Sequence, residues 1–227
     1  MLIVIDRLLN AEEVRQFRDQ LSDASWIDGN QTAGSRSLAV KQNLQLDRHD
    51  ATARELGNLI LNKLGNHPTF VSASLAETIW PPVFNLYQDG GHYGTHSDAA
   101  LMRLPEANLT IRSDLSATIF LTEPDEYDGG ELLIEESFGA QAVKLEAGDM
   151  VLYPSSSLHQ VTPVTRGQRI CAITWMQSAV ADTSARSMLF DMDQSIQSLS
   201  IGREKDDPDI DRLIHVYHNL LRRWANP

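Results

Sequence analysis

The residues best suited to chemistry gather in one stretch, Tyr87-Gln-Asp-Gly-Gly-His-Tyr-Gly-Thr-His-Ser-Asp98, which ends in His96-x-Asp98. Residues two apart on an extended strand face the same side, so this imidazole and this carboxylate can share one metal ion. A third ligand must come from elsewhere. His159 offers it, just after the strand-turn segment Asp149-Met-Val-Leu-Tyr-Pro154. Two histidines and a carboxylate on one face of a metal leave three positions open, the donor set of non-haem Fe(II) oxygenases. Arg169 follows His159 ten residues later, at the start of a predicted strand. A 2-keto acid can chelate iron through its keto and C1 carboxylate oxygens. Its far carboxylate then needs a planar, bidentate guanidinium. One iron position remains for O2.

Such residues need a rigid scaffold. From Phe70 to Gln177, short alternating or β-branched runs are punctuated by Gly, Pro and Asp clusters. Ser72–Leu86, Leu115–Thr122, Glu131–Glu135, Ala142–Leu145, Met150–Pro154, Gln160–Val164 and Arg169–Met176 read as strands. That spacing suggests a β-sandwich or barrel. Pro81-Pro82 cannot sit in a central ladder and predicts a bulge or an edge. Asp125–Gly130 reads as a hairpin turn. Before this region come a short strand, Leu2–Ile5, and a helix with an Asn10/Glu13 capping box that carries Val14, Phe17 and Leu21 on one face. Ser35–Leu46 is strand-like, and a second helix runs from about Asp50 to Leu64, stopped by Gly65 and Pro68. After Val180 an apolar stripe of Met188, Leu189, Met192, Ile196 and Leu199 predicts a helix. Asp207 and Pro208 then open a last helix, whose apolar face runs from Ile210 to Trp224. These two helices should pair as a hairpin, against the barrel or against another subunit.

The 227 residues allow one large domain, or one domain with an appendage. Nineteen basic against 31 acidic residues give a formal charge of −12, which repels phosphate backbones and makes nucleic acid an unexpected partner. No apolar run approaches the roughly 18 residues that span a bilayer. With Cys171 as the single cysteine, intrachain disulfides and cysteine-based zinc clusters are excluded. The expectation is a cytoplasmic protein.

Several tempting features have plainer readings. His92 lies four residues before His96, but Tyr93 stands where a helical zinc motif needs Glu, and Gly90, Gly91 and Gly94 oppose a helix. Those glycines fit a tight turn better than a phosphate loop. His215 and His218 share a helix face and read as solvated. Cys171 shares a strand face with Arg169 and reads as a small core residue. Tyr127 and Trp175 read as packing.

The ordered set Tyr87-x-x-Gly90-x-x-Tyr93-x-x-His96-x-Asp98, Leu115–Thr122, Gly129-Gly-Glu-Leu132, Ala147-Gly-Asp149 and His159 through Arg169 resembles the iron(II)- and 2-oxoglutarate-dependent dioxygenases of the prolyl-4-hydroxylase type. More narrowly it is similar to the bacterial PKHD-type (PiuC-like) hydroxylases, and the similarity extends to Trp26–Gly29 and Thr32-Ala-Gly34. The resemblance implies a mainly β fold with flanking helices: a double-stranded β-helix (jelly-roll) core plus a C-terminal helical appendage. The division would be 1–77 as N-terminal support, 78–180 as the dioxygenase core and 181–227 as the C-terminal helical segment. It implies Fe(II) on His96, Asp98 and His159, and 2-oxoglutarate anchored by Arg169 with Tyr87 beside it. O2 would be the second cosubstrate and L-ascorbate the reductant. 2-Oxoglutarate would leave as succinate and CO2 while a protein or peptide side chain, or a siderophore-like small molecule, is hydroxylated. The narrower likeness leans towards iron-uptake physiology. The wider superfamily often has Arg-x-Ser where this chain has Arg169-Ile-Cys171, so a thiol stands in place of the hydroxyl. Substrate choice would fall to loops such as Asn30–Gln45 and Asp98–Asp114, and the C-terminal helices could carry a homodimer contact. The alternative from another class is a non-catalytic sensor of iron or 2-oxoglutarate on the same scaffold.

Overall fold

The structure, a computed structural model, describes residues 1–32, 40–104, 108–136 and 139–226. Ala33-Gly34, the first part of the Ser35–Leu46 run and the middle of the Asp98–Asp114 loop lie outside the described residues. In chain order the N-terminal part gives β1 (Ile3–Ile5), α1 (Ala11–Ser22), β2 (Trp26–Asp28), β3 (Lys41–Gln42), β4 (Leu44–Leu46), α2 (Ala51–Asn66) and α3 (Pro68–Ser74). The central part gives β5 (Ala76–Ile79), β6 (Val83–Tyr87), β7 (His92–His96), β8 (Leu101–Leu104), β9 (Leu109–Arg112), β10 (Leu115–Phe120), β11 (Asp128–Gly129), β12 (Leu132–Glu136) and β13 (Gly139–Val143). It continues with β14 (Met150–Pro154), β15 (His159–Val161), β16 (Val164–Arg166) and β17 (Arg169–Ser178), and the chain closes with α4 (Thr183–Ser200) and α5 (Pro208–Trp224).

Two antiparallel sheets face each other. The larger runs β1-β14-β10-β17-β6-β4-β2, with β5 also paired to β17, and the smaller runs β13-β12-β15-β7-β3. The chain crosses from β6 to β7, from β10 to β12, back from β13 to β14, out again to β15 and home to β17. This winding between sheets is the double-stranded β-helix.

The larger sheet is buried on both faces. Leu115, Ala117 and Ile119 of β10 join Met150 and Leu152 of β14 in a core with Phe17, Leu56, Ile60 and Leu64 of the helices. The alternate residues Phe120, Val151 and Tyr153 join Tyr127, Ile134 and Val161 between the sheets. Burial on both faces explains why these strands read as near-continuous apolar runs. The helices form as their caps predict. Asn10 and Glu13 make a reciprocal capping box on α1, and Asp50, Asp182 and Asp207 cap α2, α4 and α5.

Local differences have physical causes. Ser72–Leu86 does not begin as a strand. Pro68 sits at the first turn of α3, Phe70 and Ala73 bury at helical spacing, and left-handed Leu75 (φ 44°) ends the helix. Pro81-Pro82 breaks what would be one long partner of β17 into β5 and β6, and the Trp80 N–H donates to the Trp175 carbonyl at 2.8 Å beside the break. Asp125–Gly130 is not a hairpin: β11 pairs with distant β16 instead. Gln160–Val164 is split into β15 and β16. Gly91 is required by its turn, since a Cβ there would lie 2.8 Å from the Gln88 carbonyl oxygen.

The two C-terminal helices pair, and Val180, Ala185 and Leu189 pack against Leu75, Tyr217, Leu220 and Trp224. The buried line of α4 is Ala185, Leu189 and Ile196, whereas Met188 and Leu199 of the expected stripe face outward. Leu189→Ala should therefore cost about 2–5 kcal/mol of unfolding free energy. Met188→Ala, at a position 58% exposed, should change it by less than about 0.5 kcal/mol. Urea midpoints of the two variants check both.

Candidate metal centre

The smaller sheet brings the metal-ligand candidates together. His159 of β15 lies directly across from His96 of β7, and the next paired residues are Val161 and Tyr93. Two steps on β15 match three on β7, so β7 bulges. The bulge lets Tyr93 and His96 turn to the same side, where their rings stack with centroids 3.5 Å apart. Asp98 follows in the loop, with its N–H directed at the Ser155 carbonyl. One ligand atom from each of His96, Asp98 and His159 lies within 4.8 Å of the others, a spacing that could hold one metal ion.

Each candidate ligand is oriented from behind. The Nδ1–H of His96 donates to the Gly94 carbonyl at 2.7 Å, and that of His159 to the Ser157 carbonyl at 3.0 Å. Both Nε2 lone pairs are left for a metal. Ser116 donates its hydroxyl to Asp98 Oδ2 at 2.5 Å, and Ser155 meets Ser116 at 2.7 Å. The Asp98 carboxylate is 3.8 Å from His159 Nε2. Burial, and then the neighbouring His159, push the His96 imidazole down to about 4, so it stays neutral at ordinary pH. Tyr153 stands edge-on to His159, and burial raises its phenol well above the usual range.

Arg169 and Tyr87 face each other across β17 and β6. Both line the cavity of about 400 Å³ that also contains His96, Asp98 and His159. That volume suits a small-molecule site. Arg169 is 1% exposed, with its guanidinium over Tyr87 and Phe120 at 5.3 and 5.2 Å from the ring centroids. Its Nη1 donates to Cys171 Sγ at 3.0 Å, its Nε has no hydrogen-bond partner, and no carboxylate among the described residues pairs with it. Burial pushes up the Tyr87 phenol and the Cys171 thiol, so both stay neutral. Gly130 makes room for this arrangement: a Cβ there would meet Arg169 Cδ at 3.0 Å and Tyr127 at 2.9 Å. Arg166, three residues earlier in sequence, is exposed and paired with Asp128 at 2.8 Å.

The residues singled out from the sequence thus converge on one space. His92 is not among them: it opens β7, with its ring on the Gly90 carbonyl at 2.9 Å. His215 is exposed beside Asn219. Trp175, expected to be packing only, lines the cavity. Sequence reading placed Tyr93 in the motif without giving it a role, and missed Ser116, Ser155 and Lys41. Of these three, Ser116 had a signal, since alternation along Leu115–Phe120 puts it on the inner face.

Comparison with known proteins agrees with this geometry. Residues 82–177 match the family model described as 2OG-Fe(II) oxygenase superfamily, and 183–226 match that of the PKHD-type hydroxylase C-terminal domain. A PKHD-type hydroxylase of Teredinibacter turnerae is 60% identical over 225 residues, covering 99% of both chains. One of Acidovorax ebreus is 56% identical over 227 residues, covering 100% of both. Among solved structures, a Pseudomonas putida prolyl-4-hydroxylase superposes with a TM-score of 0.54 at 20% identity, over 78% of this chain and 92% of that one.

Two expectations follow from the geometry. Ser116→Ala should leave the fold intact but free the Asp98 carboxylate to rotate, lowering Co(II) affinity by about 10- to 100-fold in a spectroscopic titration. Arg169→Met replaces a buried, unpaired cation with an apolar side chain of similar length. The ligand-free variant should unfold at equal or higher urea concentration, with a gain of up to about 4 kcal/mol.

Proposed function

The chain belongs to the PKHD-type hydroxylases of the 2-oxoglutarate- and Fe(II)-dependent oxygenase superfamily, and we propose that it hydroxylates its substrate at an Fe(II) ion held by His96, Asp98 and His159. Arg169 would anchor the distal carboxylate of 2-oxoglutarate, with Tyr87 beside it. One observation carries this reading: a fully buried guanidinium without a carboxylate partner among the described residues shares a cavity with a two-histidine, one-carboxylate cluster. A buried guanidinium that opens on a cavity and lacks a hydrogen-bond partner at Nε favours an anion that completes it. The donor set fits the metal, and the unsatisfied Arg169 Nε fits the cosubstrate.

When bound, the iron and 2-oxoglutarate supply an oxidant from O2, with succinate and CO2 as the coproducts and one oxygen atom entering a substrate C–H bond. The chain's own residues prepare the site. Two imidazoles, each with Nδ1–H on a backbone carbonyl, turn Nε2 towards the metal position. Ser116 fixes which Asp98 oxygen faces outward. Arg169 neutralises and orients the cosubstrate, and Phe120, Val161 and Leu132 keep its surroundings dry. Positioning and exclusion of side reactions are the protein's share of such catalysis.

The substrate is a protein or peptide side chain or a siderophore-like small molecule. L-Ascorbate would serve as reductant. The acidic charge of −12 disfavours nucleic acid as a partner, and no helix among the described residues is long and apolar enough to cross a membrane. Both fit cytoplasmic work. Residues 1–77 would support the core of 78–180, and the outward faces of α4 and α5 in 181–227 suit a homodimer contact.

Fe(II) with 2-oxoglutarate under anaerobic conditions should give a visible charge-transfer band that is lost in His96→Ala, Asp98→Ala and His159→Ala. Full-strength bands in all three variants would refute the assignment. Arg169→Ala should weaken 2-oxoglutarate binding by about two orders of magnitude or more while iron still binds. Arg169→Lys should fall between, and Arg166→Ala should change nothing. Release of succinate from 2-oxoglutarate in air distinguishes the enzyme from a sensor.

A further inference from the structure

The cavity holds more positive charge than the proposed reaction uses. Fe(II) brings two positive charges and Arg169 one, while Asp98 brings one negative and 2-oxoglutarate two. These cancel. Yet Lys41, Arg103 and Arg48, the last already engaged with His49, also line the cavity, and Asp98 is the one acidic residue among the described residues that do. This sign is opposite to that of the whole chain, with 31 acidic against 19 basic residues.

Lys41 is the most informative of the three. It is only 9% exposed, although it is a lysine on the two-residue edge strand β3. Its register partner is Tyr93, its ammonium lies 5.5 Å from the centroid of that ring, and Tyr93 in turn stacks on His96. Nζ donates to the Gly29 carbonyl at 3.1 Å. An ammonium has three N–H bonds, so that carbonyl does not complete it. No carboxylate among the described residues lies within ion-pairing distance, and Asp28 acts on it only through space. Burial lowers the ammonium to about 8, which still leaves it mostly charged at neutral pH. Arg103 stands exposed on β8, its guanidinium without a hydrogen bond or ion pair among the described residues, where a fixed charge can steer an incoming anion. Trp80, Val83, Met102 and Trp175 add apolar wall to the same cavity.

We infer that the substrate hydroxylated here is an organic carboxylate with an apolar body, its anionic group held by Lys41 and steered by Arg103, its body against Trp80 and Trp175. The inference rests on the cosubstrate reading above, because it assigns to the substrate the charge that 2-oxoglutarate leaves uncompensated.

The test uses the full chain loaded with Zn(II), which does not turn over. A first titration establishes saturation with 2-oxoglutarate, and failure there would sink the cosubstrate reading itself. 4-Iodobenzoate and 4-iodobenzamide are then titrated into the saturated protein, with iodine quenching of tryptophan fluorescence reporting arrival beside Trp80 and Trp175. The carboxylate should bind at least about tenfold tighter than the amide, as expected for one charge-assisted contact. Lys41→Met and Arg103→Met should each reduce that preference, and Lys41→Arg should keep it. Arg103 is exposed, so its variant reports even where Lys41→Met does not fold. Equal affinity for the two probes, binding of neither in the millimolar range, or a full preference surviving in the folded variants would overturn the inference and leave the 2-oxoglutarate result standing.

Discussion

The pairing of His96 with His159 across β7 and β15 is the constraint on which the cavity depends. Side chains alternate with period two, so a one-residue slip would turn a ligand candidate out of the cavity. The register is held on both sides. β15 pairs with β12 through Leu132↔Val161 and Ile134↔His159, and β7 pairs with β3 through Lys41↔Tyr93. Leu132, Ile134 and Val161 are all buried, so the apolar face of the small sheet cannot slip without exposing them. The hydrophobic effect thereby sets the spacing of three polar atoms that themselves contribute little to stability.

The larger sheet divides the labour differently. Its outer face packs on α1, α2 and α3 and supplies the main apolar core, while its inner face carries Ser116, Cys171 and Arg169. A sheet buried on one side alone would have to use that side for cohesion. Covering the far side with helices lets the inner side hold an unpaired guanidinium and two hydroxyls. Gly130 belongs to the same arrangement, since the stem of Arg169 occupies the space a side chain would take.

The candidate donors were legible because metal chemistry constrains residue type and local spacing together: His96-x-Asp98 needs only an extended strand, and His159 and Arg169 follow in order. The caps at Asn10, Asp50 and Asp207 were legible for the same local reason. Lys41 was not, because its place in the cavity comes from β3 pairing with β7, fifty residues away in sequence, and no local pattern encodes that contact. The Ser155 hydroxyl likewise reaches the Asp98 carboxylate through Ser116, a contact between strands that no local pattern encodes. Residues 72–74 misled because a buried two-turn helix and a buried strand share the same short apolar signature, and Pro68 decides between them only as a first-turn residue. Asp125–Gly130 has the composition of a hairpin turn, but its partner strand β16 lies far downstream.

β1 pairs with β14, placing Ile3 opposite Leu152, and the Arg7 N–H reaches the Asp149 carboxylate at 2.7 Å. β1 is therefore made long before the strand it pairs with. Until β14 emerges, Ile3 and Ile5 have no ladder to join, and the helices α1 and α2 that precede it have no completed sheet to cover. Contacts of such long sequence separation slow folding and expose apolar surface meanwhile. The segment from β1 to α2 must stay soluble until β14 has been made. The charged faces of α1, with Glu12, Arg15 and Arg18 outward, give that segment a means of doing so before its partner exists.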